Sequence, residues 1–261
     1  MAATETSFAT LMQLELVKKR DLTAQGVSIL QALAHGLQPA TPEAAAEAAH
    51  QLDRLCPPLE DSDQASDYLW GLWEIIMAIA GSPDVESEVH ERLVEILRQL
   101  KQHARGELGF SLDPTSTGAE FTQVSAQIWR NISLFGARYL AERLLGAYLE
   151  LAYTLRDALE QDLDKLPDVG IAECRIQVAC GWIQYAAKPL LRWAWENMDS
   201  TNGSFYCGPS AVCLERWRFW LGRFDELANE DSGLGEETRK AASEAAETMR
   251  AVEKLVDDAL S

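Results

Sequence analysis

Lys188 and Arg192 stand four residues apart in an otherwise apolar stretch. Like charges at that spacing on a helix repel by a few tenths of a kcal/mol unless an anion sits between them. The pair is therefore a candidate holder of a carboxylate, from the chain itself or from a ligand. Tyr185, one turn earlier, adds a phenol that can polarise a carbonyl or move a proton. Glu74 is the second candidate. It is the sole ionisable carboxylate in the run Tyr68–Ala80, flanked by Trp73 and Ile75. If it is buried its pKa rises and it becomes a general acid. If it lies on a helix edge it is a solvated or arginine-paired glutamate.

A third group is aromatic. Trp129, Tyr139, Trp182, Trp193, Trp217 and Trp220, with Arg138 among them, are candidates to line a cavity for an apolar ligand. The alternative is plain core, because Trp217, Trp220, Leu221 and Phe224 form a stripe at helical spacing. Arg138 and Glu142, four apart, suit an intrahelical ion pair.

The elements that position these residues are helical. No run alternates in the way a half-buried strand requires, and no hairpin signal joins two such runs. Helices are expected at 5–20, 22–37, 85–104, 119–131 and 132–161, the last broken near Gly136. Thr41-Pro42-Glu43 starts another, with Thr41 as N-cap, and Cys56-Pro57-Pro58 ends it. Asp61, Ser62 and Asp63 precede the apolar helix through residue 80. Further helices are expected at 171–198, 211–228 and 236–259, with loops at 106–118 and 199–210 and an acidic turn at 164–170. In 171–198, Glu173, Gln177, Gln184, Lys188 and Arg192 share a stripe roughly 100° wide. That stripe either faces water or lines a cleft. Pro189 removes one backbone donor from the same helix. The expected architecture is a single all-α domain over 1–261, a bundle or array of about nine helices without a sheet. Residues 1–60 are expected at its periphery and 61–259 in its main core.

Several chemistries lack their residues. His35, His50, His90 and His103 all lie in the first part of the chain, and Glu47-x-x-His50 is one Glu-x-x-His where a di-iron bundle needs two. Zinc spacings, phosphate-binding glycine loops and a nucleophile elbow are missing from the sequence. No metal, nucleotide or other cofactor is expected. Cys56, Cys174, Cys180, Cys207 and Cys213 are an odd set without framework spacing, which reads as reduced thiols. Cys207 and Cys213 flank a Gly-Pro turn and are the pair that oxidation would join. Asn131-Ile-Ser133 and Asn202-Gly-Ser204 match the glycosylation pattern but follow no secretory signal.

The charge is distributed unevenly over 261 residues with a formal net charge of −18. Residues 1–120 hold 19 acids and 8 bases, whereas 121–156 and 170–222 are slightly basic and hold six of the eight tryptophans. Such acidity argues against nucleic acid and against anionic lipid. With no secretory signal and no apolar run long enough to span a bilayer, a cytoplasmic protein is expected.

The segments LWGLWEIIMAIA, IWRNISLFG, DALEQD, ACGWIQYAAKPL, ERWRFWLGRFDEL and ETRKAASEAAETM, in this order, resemble the fungal proteins catalogued as domain of unknown function 3632. The resemblance spans about residues 60–254. It implies an intracellular, all-helical fungal protein and carries no activity, cofactor or site residue. The association of such proteins with natural-product pathways is an implication of the same kind.

Two functions follow as expectations. One is an apolar small molecule held in an aromatic-lined cavity, with Glu74, Tyr185, Lys188 and Arg192 as the catalytic groups of a cofactor-free cyclase or isomerase. The other is a non-catalytic helical scaffold whose acidic surface meets a protein partner. Self-association is open under either.

Overall fold

A computed structural model describes residues 7–58, 62–101, 123–142, 148–162, 169–200 and 203–260. Its helices start where side chains can satisfy the orphan amides of a first turn. Ser7, Thr23 and Thr41 each accept the backbone N–H three residues on, at 3.3, 3.1 and 3.2 Å. Thr41 is followed by Pro42 at the first helical position, as its sequence indicates. Nine helices of seven or more residues form among the described residues, and the fold is all-α. The loop expected at 106–118, most of the turn at 164–170, His103 and Asn202 lie outside the described residues.

The helices divide into two compact units. The first contains α1 (Phe8–Gln13), α2 (Glu15–Lys18), α3 (Ala24–Leu37), α4 (Pro42–Leu55), α5 (Ser62–Gly81) and α6 (Ser87–Lys101). The helix expected at 5–20 is two short ones, because Leu14 takes an extended conformation (φ −60°, ψ 129°). Its core is Leu30, Leu33, Leu37, Ala48, Leu52, Leu93 and Ile96, drawn from α3, α4 and α6. Gly36 is what lets these three helices close. A Cβ there would stand 2.5 Å from that of Ala48 and 2.7 Å from Ile96 Cδ1. In α5, Leu72, Ile76 and Ile79 are buried, and the Tyr68 hydroxyl donates to the Leu52 carbonyl at 2.6 Å.

The second unit contains α7 (Gln123–Ala141), α8 (Tyr148–Leu159), α9 (Val169–Glu196), α10 (Leu214–Ala228) and α11 (Glu236–Leu260). Helix α9 is the axle, with α7, α8, α10 and α11 all packed on it. That position explains why it is apolar around most of its girth. The break expected near Gly136 does not occur. Gly136 is buried inside α7, and a lone glycine costs a helix only about 1 kcal/mol, which packing outweighs. Between α9 and α10, Met198–Asp199 pairs antiparallel with Ala211–Val212, a two-residue ladder that closes the intervening loop.

Candidate functional site

The polar stripe of α9 lines a groove for part of its length. Helices α7, α9 and α11 enclose about 630 Å³ there. The floor is Leu134, Cys180, Gly181, Ala241 and Ala245, and the walls carry Gln127, Arg130, Gln177, Gln184, Glu237, Glu244 and Thr248. Gly181 sets the depth of this floor. A Cβ on it would lie 2.5 Å from Leu134 Cδ2, so any larger residue here requires the half-buried Leu134 side chain to turn aside.

One wall is a chain of hydrogen bonds. The Arg130 guanidinium donates to Gln127 Oε1 at 2.7 Å and to Gln177 Oε1, and Gln177 Nε2 donates to Thr238 Oγ1 at 2.8 Å. Gln127 Nε2 in turn donates to Asn131 Oδ1 at 2.8 Å. The arginine is thus committed to amides. The groove's acids are Glu237 and Glu244, the latter 3.8 Å from the exposed Lys240 Nζ. Gln184 and Glu237 hydrogen-bond to none of the described residues and are left to solvent or a ligand. Burial pushes the Cys180 thiol up to about 12, with the Glu244 carboxylate adding to the shift. It is no nucleophile at neutral pH.

The residues singled out from sequence fall in different places. Trp182, Trp217 and Trp220 are fully enclosed, and none of them lines the groove. Trp129 and Trp193 are half-buried. Tyr139 is buried, its ring 6.1 Å from that of Phe135 and nearly parallel to it, and burial pushes its hydroxyl up to about 12. Arg138 and Tyr185 are brought together. The guanidinium lies 4.1 Å from the ring centroid and donates to the Tyr185 hydroxyl at 2.6 Å. Helix α7 ends at Ala141, so Glu142 falls in the turn that follows.

Glu74 departs from the buried-acid reading. Its side chain is 59 % exposed and accepts from Arg20 Nη1 at 2.7 Å. It belongs to the first unit, whereas Tyr185, Lys188 and Arg192 belong to the second. Lys188 and Arg192 are exposed, and Arg192 Nε donates to Glu196 Oε1 at 2.8 Å. Cys207 is exposed and Cys213 buried, and both are free thiols.

A second polar centre went unread in the sequence. Glu160, the residue that follows α8, is fully buried, as is Arg216 on α10. Arg216 Nε donates to Glu160 Oε1 at 2.6 Å and Nη2 to Oε2 at 3.0 Å. Trp220 Nε1 donates to Oε1 at 2.7 Å, and the Gly203 N–H donates to Oε2 at 2.6 Å. The Phe205 N–H completes the arrangement on the Glu160 carbonyl at 2.7 Å. Both carboxylate oxygens are therefore filled by donors. The centre fastens α8, α10 and the loop before α10 to one another, and it offers no free oxygen to a substrate. Gly203 is obligatory, since a Cβ there would stand 2.5 Å from Glu160 Cβ.

The second unit is thus a helical array on a central axle, with a buried ion-pair hub that joins α8 to α10 and a polar groove between α7, α9 and α11. The family model described as "Protein of unknown function (DUF3632)" matches residues 73–224, more than half of the chain, and the chain belongs to that family. No curated protein and no solved structure matches it. The hub lies within the matched region, where DALEQD and ERWRFWLGRFDEL supply Glu160, Arg216 and Trp220. No helix among the described residues is long and apolar enough to cross a membrane.

Proposed function

We propose that this protein binds a small molecule in the groove between α7, α9 and α11. One observation carries the reading. A space of about 630 Å³ has an apolar floor and walls of amides, carboxylates, an arginine and a threonine hydroxyl, the size and composition of a ligand site. The ligand is one that makes hydrogen bonds. This differs from the apolar ligand expected from the tryptophans, because Trp182, Trp217 and Trp220 are buried away from the groove. Binding, rather than turnover, is the function put forward. The groups first considered for catalysis do not line this space, and the Cys180 thiol on its floor stays protonated at neutral pH.

The test is a titration of ¹⁵N-labelled protein with a library of polar and apolar fragments. Saturable shifts of the Gln127, Gln177 and Gln184 side-chain amides are expected. They should vanish in Ala241→Phe, which fills the groove from a half-buried position on its floor. If only apolar fragments bind, and the signals they move are those of Trp182 and Trp217, the groove reading is wrong.

A further inference from the structure

We infer that the ligand of this groove is an elongated zwitterion of the size of a short peptide, its cation held by Glu237 and Glu244 and its anion by Lys188 and Arg192. The inference rests on the groove reading and adds the ligand's class and polarity.

The stripe that lines the groove continues beyond it. At 100° per residue, Gln177, Gly181, Gln184, Lys188, Arg192 and Trp195 fall within roughly 80° of one another on α9. Gln177, Gly181 and Gln184 line the groove, and the next residues on the face are the two cations and a tryptophan 50 % exposed. A ligand seated on Gln177 and Gln184 that extends along α9 meets Lys188 next.

The two walls run in the same direction. The Gly235 N–H donates to Glu173, and Gln177 donates to Thr238, so α11 advances as α9 does. Glu237 therefore lies level with the Gln177 end. Glu244, seven residues on, lies near Cys180, whose thiol its carboxylate perturbs. Two acids thus stand about 10 Å apart along the groove's first part, and two cations follow past its end. Two cations stand near these acids: the Arg130 guanidinium is engaged by Gln127 and Gln177, and Lys240 lies 3.8 Å from Glu244 in an exposed pair that a ligand's cation can displace, while Glu237 pairs with no described cation. Lys188 pairs with no described carboxylate. Arg192 shares Glu196 at a site 64 % exposed, which leaves most of its guanidinium open.

Length then sets the ligand's size. From Gln177 to Lys188 and Arg192 the rise along α9 is about 16–22 Å, the span of an extended chain of about five to seven residues. A peptide backbone also supplies donors for Glu237 and acceptors for the Gln184 amide. A compact zwitterion such as a free amino acid cannot reach both ends.

The probe is a capped hexapeptide with one lysine, one glutamate and four alanine or serine residues between them, compared with analogues in which either charged residue is alanine. Affinities are read from ¹⁵N shifts of the full chain at low salt. The doubly charged peptide should bind roughly three- to fivefold more tightly than either analogue, the scale of exposed charge pairs. Lys188→Ala with Arg192→Ala should abolish the advantage of the glutamate alone, and Glu237→Gln with Glu244→Gln that of the lysine alone. Binding that moves Gln177 and Gln184 but ignores both double variants would overturn the inference and leave the groove intact. No shift with any peptide, while polar fragments still bind, would overturn it too. Failure of the fragments as well would remove the groove reading beneath it.

Discussion

At the scale of single residues, Glu160 concentrates the energetics. A buried ion pair is held by the donors around it, and removing one partner strands the other in a medium that cannot solvate it. Glu160→Leu should therefore cost about 3–5 kcal/mol of unfolding free energy in urea. Glu160→Leu with Arg216→Met should recover most of that loss, since no charge is then left buried. A double variant as damaged as the single one would show that Trp220 Nε1 and the Gly203 N–H carry the cost instead. Nothing local betrayed this residue. Its donors stand 43, 56 and 60 positions away, and pattern reading works within a helix turn or two. Glu74 takes the second of its two sequence readings, the arginine-paired helix edge. Asp67, Trp70 and Glu74 repeat at i, i+3 and i+7, and all three are exposed. The strip was visible in the sequence, but a tryptophan 62 % exposed makes it look like core.

At the scale of elements, the helices were legible because they carry their own period and, in α1, α3 and α4, their own side-chain caps. Thr41-Pro42 and the apolar α9 needed no tertiary information. The contacts that bring helices together were less so, because they rest on glycines whose neighbours lie far along the chain. Gly181 illustrates the cost. Gly181→Ala should turn the Leu134 side chain from its place, at a cost of about 1 kcal/mol that alanine's better helix propensity offsets in part. Adding Leu134→Ala removes the clashing methyl, and the pair should be less destabilised than the sum of the two single variants. Thermal or urea unfolding of the four proteins checks this; simple additivity would mean that the close approach is not what the glycine serves.

At the scale of the whole molecule, pH acts through groups the core keeps neutral. Burial raises the thiols of Cys174 to about 11 and Cys180 to about 12 and the Tyr139 hydroxyl to about 12, from ordinary values of 9 and 10. The unfolded chain releases these protons first, so it binds fewer protons than the native state above pH 9. Stability is complete below that pH and is lost as pH rises through the folded values. The urea midpoint should stay level from pH 7 to 8.5 and then fall, and Cys180→Ala should flatten the fall. A midpoint indifferent to pH up to 11 would contradict this. The charge of −18 had pointed to a solvated acidic coat, and Glu74, Glu237 and Glu244 do lie on the surface. What the coat concealed is that two of those acids border a groove.

The family match ends at residue 224, and α11 begins at Glu236. The axle and the ion-pair hub therefore lie inside the matched residues, while one wall of the proposed groove comes from beyond them. A relative that keeps α7 and α9 but carries a different last helix would present the same floor beneath another pattern of charge. Exchanging that helix for one of different charge should alter what the groove holds without removing a residue of the hub.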